Sequence, residues 1–325
     1  MKVGFKMKKV SNCLYVVIPC YNEEEVLTVT TEKLTEKLQK MIKDKLIGKD
    51  SKIMYVNDGS KDTTWDLISK FNKENKFVTG VNLSRNRGHQ NALLAGLMTA
   101  KEYADIVISM DADLQDDINV MDKMVKEYNN GCDIVYGVRS ARKTDTWFKR
   151  TTAEGFYKFM AKLGVEIVYN HADYRLMSKR ALYELENFKE VNLFLRGIIP
   201  LIGFKTSTVE YERNERFAGE SKYPLKKMLN FAMDGILSFS IKPIRIITTA
   251  GFIVSFFSFL LLIYVIIGHF ISKNVTGWTT IVALICFFGG FQILCIGIVG
   301  EYIGKIYNET KQRPRYIIKD VILND

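Results

Sequence analysis

The chain has 325 residues, 47% of them apolar, and a formal net charge of +10, which gives room for one sizeable domain plus an appendage and enough apolar side chain for a full core. A positive balance of that size suits nucleic acid, anionic lipid or phosphorylated substrates. No zinc-ligand spacing, RNA-binding aromatic signature or helix-turn-helix pattern accompanies it, so no nucleic-acid partner is expected. The five cysteines have no paired spacing, as for reduced thiols in a cytoplasmic protein.

In chain order, a basic start with one brief apolar run ending in Pro19 does not read as a cleaved signal peptide. Leu14 to Ile18 reads as a strand, and Glu24 to about Lys43, with Val26, Val29, Leu34, Leu38, Met41 and Ile42 at helical spacing, as an amphipathic helix. Ile53 to Val56 is a second strand. The turn Asn57-Asp58-Gly59-Ser60 leads from it into a helix carrying Trp65, Leu67, Ile68 and Phe71. Phe77 to Leu83, Asp105 to Met110 and Asp133 to Val138 complete the strand series. Strand, helix, strand repeated in this way predicts an α/β fold with a mostly parallel sheet, its ligands beyond the carboxyl ends of the strands. The polar clusters PCYNEE, VNDGS, NLSRNRG and DADLQDD each follow a strand, and no G-x-G-x-x-G follows the first one.

SMDADLQDD, residues 109–117, crowds four carboxylates behind an apolar strand. Two readings fit it. Strand alternation aims Asp111 and Asp113 to one side, where they hold a divalent cation that bridges a diphosphate; or the run is a solvated turn, with Asp116 and Asp117 capping the next helix.

Two apolar runs, Ile246 to Phe270 and Thr279 to Gly300, each reach the roughly 20 residues that cross about 30 Å of hydrocarbon. They predict a transmembrane hairpin joined by a short segment from Ile271 to Trp278. Lys242 and Arg245 before it, and Lys305, Lys311, Arg313 and Arg315 after it, outnumber the lone Lys273 of the connection. The positive-inside rule therefore puts both flanks in the cytoplasm and the protein in the plasma (inner) membrane. Leu225, Met228, Leu229, Ala232, Met233, Ile236 and Leu237 form a helical stripe behind Pro224, which fits a helix lying in the membrane interface or one packed on the soluble domain or another subunit. The expected divisions are a cytoplasmic domain over 1–211, a juxtamembrane loop and helix over 212–243, two spans within 244–303 and a tail over 304–325.

PCYNEEEVL, VNDGSKDTTWDLI, NLSRNRGHQNALLAGL, MDADLQDD and GVRSAR, in this order, resemble glycosyltransferase family 2. DYRLMSKRAL (Asp173 to Leu182), RFAGESKYPLKKML and two spans look like its polyprenyl-phosphate branch, which holds the relatives of dolichyl-phosphate mannose synthase and the bactoprenol glucosyltransferases. The resemblance implies a GT-A nucleotide-sugar-binding domain, a nucleoside-diphosphate sugar donor, a polyprenyl phosphate acceptor, Mg²⁺ or Mn²⁺, and a homo-oligomer in the membrane. Residue by residue, it places Pro19, Tyr21, Asn22, Glu23 and Asp58 at the nucleotide and Asp111 at the ribose or metal. Ala112 and Gln115 fall at the nucleotide sugar, Gln115 near the metal or the sugar, with Asp113 as the direct metal ligand. Arg139 and Arg175 match phosphate-binding arginines, with Arg142, Ser178, Arg216 and Lys222 as further acceptor contacts and Asp173 beside Arg175 or the sugar.

His89, His171 and His269 have no evident partner as a general base. None is needed, because a phosphomonoester with its second pKa near about 6 arrives largely deprotonated. Attack by its oxygen inverts the anomeric carbon. UDP-glucose is the first choice of donor, with N-acetylglucosamine, galactose and mannose open. A processive polysaccharide synthase is the nearest alternative, though no Q-x-x-R-W occurs; a non-catalytic sugar-nucleotide binder is the other.

Overall fold

The computed structural model describes residues 12–139, 171–212, 242–270 and 278–324. They fall into two compact units, one gathering the first two stretches with the chain beyond Pro314, the other holding the remainder up to Arg313.

The first unit is built on an eight-stranded sheet in the order β7-β5-β6-β4-β1-β2-β3-β8. β1 (Leu14–Cys20), β2 (Lys52–Asn57), β3 (Val78–Leu83) and β4 (Ile106–Ser109) run parallel, as do β5 (Ile134–Arg139) and β7 (Thr206–Tyr211). β6 (His171–Ser178) runs antiparallel to both β4 and β5, and β8 (Ile318–Ile322) antiparallel to β3. The expected α/β sheet is therefore present, and it is mixed but mostly parallel. Every residue of β1, β3 and β4 is buried, the pattern of strands covered on both faces by helices.

Helix α1 (Glu24–Lys43) lays Val26, Leu27, Leu34, Leu38 and Met41 against the sheet. At about 1.5–3 kcal/mol per fully buried side chain, this stripe, rather than helix propensity, stabilises the helix. Its buried Lys37 pairs with Asp122 at 2.9 Å, on α4 (Met121–Asn129). Helix α2 (Thr64–Glu74) follows the VNDGS turn. Helix α3 (His89–Ala100) packs very close to the sheet, because Gly96 has no Cβ; one built there would lie 2.5 Å from side-chain carbons of Val17 and Val56. Helices α5 (Lys179–Glu186) and α6 (Leu195–Leu201) follow β6.

Three expectations change. The fourth strand ends at Ser109, so Asp111 to Asp113 lie in a turn and strand alternation does not aim them. The stretch expected as a tail supplies β8: Asn82 Nδ2 donates to Asp320 at 3.1 Å, and the Asn324 amide donates to the carbonyls of Asn72, Asn75 and Val78. Third, strands β6 and β7 add to the predicted series.

In the second unit, α7 (Lys242–Phe270) and α8 (Trp278–Lys311) cover the two apolar runs. Among the described residues one stretch, Phe287–Lys311, is long and apolar enough to cross a membrane, and Ile244–Val254 is a shorter apolar segment. Phe252, Phe256, Phe257, Phe287, Ile293 and Ile296 are exposed. The helical stripe at 225–237, the connection at 271–277, and Arg142, Arg216 and Lys222 lie outside the described residues.

Candidate active site

The loops that leave the carboxyl ends of β1 to β4 meet at one edge of the sheet. Behind β1, the turn Tyr21-Asn22-Glu23 is laced to the turn behind β2. Ser60 Oγ accepts the Asn22 N–H at 3.0 Å, Asn22 Oδ1 accepts that of Lys61 at 2.9 Å, and Thr64 Oγ1 accepts that of Glu23 at 3.0 Å. Pro19 lies one residue before the end of β1, opposite Val56, and Tyr21 is half-buried. Asp58 does not cap α2. Its two oxygens accept the N–H groups of Arg87 at 2.7 Å and Gly88 at 2.9 Å, which fixes the loop that opens α3. Burial pushes its carboxyl up, and those two hydrogen bonds oppose the shift. Gly59, at φ 62°, lets this turn approach Arg85 and Asn86, whose backbone lies 2.6 Å from where a Cβ would stand.

The four carboxylates behind β4 divide their work. Asp111 and Asp113 are half-buried at the open edge. Asp113 Oδ1 accepts the Gln115 N–H at 3.2 Å, and the buried Ala112 carbonyl accepts from Thr30 Oγ1 at 2.8 Å. Asp117 caps the short 3-10 turn Ile118–Val120 through Asn119. Asp116 turns inward, 2% exposed; its Oδ1 takes the Tyr211 hydroxyl and lies 3.4 Å from Arg139 Nη2, while Arg139 Nε donates to Tyr211 at 3.2 Å. Burial and the neighbouring Asp111 push the Asp116 carboxyl up to about 6 against the pull of Arg139. Of the two residues expected to cap the next helix, Asp117 does so and Asp116 does not.

Strand β6 brings the second half of the site. Ser109, the last residue of β4, pairs with Arg175, so Asp173 on β6 and the turn behind β4 share this edge of the sheet. Asp173 Oδ1 accepts from Arg175 Nη2 and from Arg196 Nε at 3.3 Å, and Oδ2 from Arg196 Nη2 at 3.0 Å. Burial alone would raise the Asp173 carboxyl; Arg196 and Arg175 reverse that and hold it well below the usual range. His89 Nε2 lies 3.6 Å from Asp111 and 3.8 Å from Asp173. This histidine therefore has carboxylate partners, contrary to the sequence expectation. Its neighbour Gln90 accepts the Leu195 N–H at 2.9 Å and so ties α3 to the helix that carries Arg196.

Two expected acceptor contacts sit elsewhere. Arg175 is 1% exposed, with Nε and Nη1 unpartnered among the described residues; it faces Asp173 from within the sheet. Ser178 pairs with Ile106 at the far end of β4, where it caps α5 through Ala181 and donates to Asp133 at 2.9 Å. Arg139 stays at the site edge. Sequence reading missed Arg196, Tyr211 and His89.

A divalent cation is consistent with the donor set, since Asp111 and Asp113 offer hard oxygens. Burial pushes the Asp111 carboxyl up, His89 opposes that, and nearby Asp173 and Asp113 add to the rise. Among the described residues no group of three metal-ligating side chains converges, so the remaining ligands would come from phosphate oxygens and water.

The sequence pattern described as Glycosyl transferase family 2 matches residues 15–186. An uncharacterized glycosyltransferase of Bacillus subtilis, YkoT, is 54% identical over 319 residues, 98% of this chain and 95% of its own. The bactoprenol glucosyl transferase of Shigella phage SfX is 40% identical over 306 residues, 94% of this chain and 98% of its own, and the Escherichia coli prophage bactoprenol glucosyl transferase homolog is 39% identical over 308 residues, 94% and 98%. With its α/β sheet and an acidic loop at the carboxyl edge, the chain belongs to glycosyltransferase family 2.

Proposed function

We propose that this glycosyltransferase moves glucose from UDP-glucose to polyprenyl phosphate with inversion at the anomeric carbon. The reading is carried by the pairing, at one sheet edge, of a carboxylate turn suited to a cation–diphosphate with Arg139, a guanidinium held for a phosphate. The relatives named bactoprenol glucosyl transferases support this acceptor and this sugar.

On this reading the loops behind β1 and β2 hold the nucleotide. Tyr21 stacks on the base, Asn22 and Glu23 line its loop, and Asp58 shapes the pocket by fixing Arg87 and Gly88. Asp111 and Asp113 would hold Mg²⁺ or Mn²⁺, which supplies charge neutralisation to the departing diphosphate. Arg139, set by Tyr211 and Asp116, receives the acceptor phosphate, and its planar guanidinium offers N–H donors that orient the phosphate oxygens. Arg142, Arg216 and Lys222 are proposed as further cations for it. Because the phosphate oxygen is already ionised, no side chain has to remove a proton.

The acceptor is a lipid, and the chain's topology suits a membrane. β7 precedes the apolar helices and β8 follows them, yet both belong to one sheet. A chain that leaves a folded domain, crosses a bilayer and returns to the same domain crosses an even number of times, so the hairpin of two spans, with a cytoplasmic catalytic unit, is the proposed arrangement.

The test is transfer of label from UDP-glucose, UDP-N-acetylglucosamine, UDP-galactose and GDP-mannose to undecaprenyl phosphate in detergent, with Mg²⁺ or EDTA, scored as organic-extractable product. Metal-dependent product from UDP-glucose is expected. Product from another donor alone would replace the sugar, and none from any donor would end the reading.

A further inference from the structure

The Asp173 carboxylate has four lone-pair positions. Three are taken: Arg175 Nη2 and Arg196 Nε on Oδ1, and Arg196 Nη2 on Oδ2. The fourth belongs to Oδ2, the oxygen nearest His89 Nε2 at 3.8 Å. That separation is too long for a direct hydrogen bond and right for one oxygen bonded to both groups. Asp173 is 15% exposed and His89 35% at their side chains, so the gap is reached from the open edge, beside Asp111.

The frame around the gap is stiff. Arg196 grips both Asp173 oxygens as a fork, and α6, which carries it, is pinned through Leu195 to Gln90. His89 opens α3, and the loop before it is fixed by Asp58. Two groups held from independent elements, one an anionic acceptor and the other an imidazole able to donate or accept, thus face one another across 3.8 Å.

We propose that His89 and Asp173 form a subsite that reads one hydroxyl of the transferred hexose, with Arg196 and Gln90 as its positioning residues. This inference rests on the glycosyl-transfer reading and deepens it: the sugar moiety of the donor lies against the His89–Asp173 gap while its diphosphate lies at Asp111 and Asp113. The carboxylate accepts the hydroxyl proton, and imidazole nitrogen completes the pair. A hydrogen bond to a charged acceptor discriminates strongly against an analogue that lacks the hydroxyl, because both protein groups are then left unpaired.

The experiment measures kcat/KM for UDP-glucose and its 2-, 3-, 4- and 6-deoxy analogues, with undecaprenyl phosphate as acceptor, in wild type, His89→Ala and Arg196→Lys. In wild type one analogue is expected to lose about 10- to 100-fold while the others lose less. In His89→Ala the parent donor falls toward that analogue, and the penalty at that one position shrinks to within about 3-fold while the remaining positions keep theirs. Arg196→Lys, which keeps the charge but not the fork, is expected to erode the same penalty. Equal penalties in wild type and both variants would overturn the subsite while leaving glycosyl transfer intact. A wild type that makes no lipid product from UDP-glucose would overturn the donor reading and the subsite with it.

Discussion

At Asp113 the account separates catalysis from folding most cleanly. Its side chain is only half-buried and Asn keeps its size and shape, so Asp113→Asn is expected to change stability by no more than about 0.5 kcal/mol. Turnover should fall at least about 100-fold, because the amide is a poor cation ligand. Parallel melting and transfer assays check this; equal transfer by the two proteins would remove Asp113 from the cation site. Asp173 gives a pH dependence. Its folded carboxyl lies below the ordinary value of 3.8, so its stabilising contribution is present above about pH 4 and is lost as pH falls through the folded value. Arg196→Gln weakens that depression. The melting gap between wild type and Arg196→Gln should be about 2–4 °C at pH 6–7 and should narrow progressively as pH falls below about 4. A gap that widens in acid would mean that Asp173 is not the group being held ionised.

Elements differ in how much of them the sequence discloses. β1 to β5 and α1 are legible because long apolar runs and a 3.6-residue stripe survive in them, and α1 has the bounds expected from its periodicity. β6 is not, since its HADYRLMS mixes apolar residues with a buried Asp–Arg pair that only tertiary contacts make tolerable. Arg196 lies 23 residues beyond Asp173 on a seven-residue helix that contains Pro200; no local pattern links the two. His89 is the same case, because Asp111 and Asp173 come to it from the turn behind β4 and from β6 and no local pattern links the three. β8, IKDVI, carries exposed Lys319 and Asp320 and reads as a polar tail, although an edge strand with charge on it resists pairing with another chain. Deleting the chain from Pro314 onward removes the β3 ladder partner and the packing of Ile322 near Gly80 and Ile68. About 2–4 kcal/mol should go with it, read as a melting temperature at least about 5 °C lower in detergent. An unchanged melting temperature would make β8 a passenger.

For the whole molecule, the proposed hairpin of two spans rests on the return of the chain to its own sheet. A reporter that is active only outside the cytoplasm should work when inserted within 271–277 and stay silent when fused after Asp325, in bacterial cells. Activity at the C-terminal fusion would contradict the cytoplasmic placement of the sheet, and activity at both positions would contradict the hairpin. The remaining claim concerns the chemistry: the site contains guanidinium, carboxylate and hydroxyl groups arranged for phosphate, and the nucleophile needs no base. The most direct measurement offers the enzyme, with UDP-glucose and Mg²⁺, either undecaprenyl phosphate or the phosphate-free alcohol undecaprenol. The account predicts labelled lipid from the phosphate and none from the alcohol. Transfer to the alcohol would contradict it, since a hydroxyl nucleophile would require the general base that this account does without.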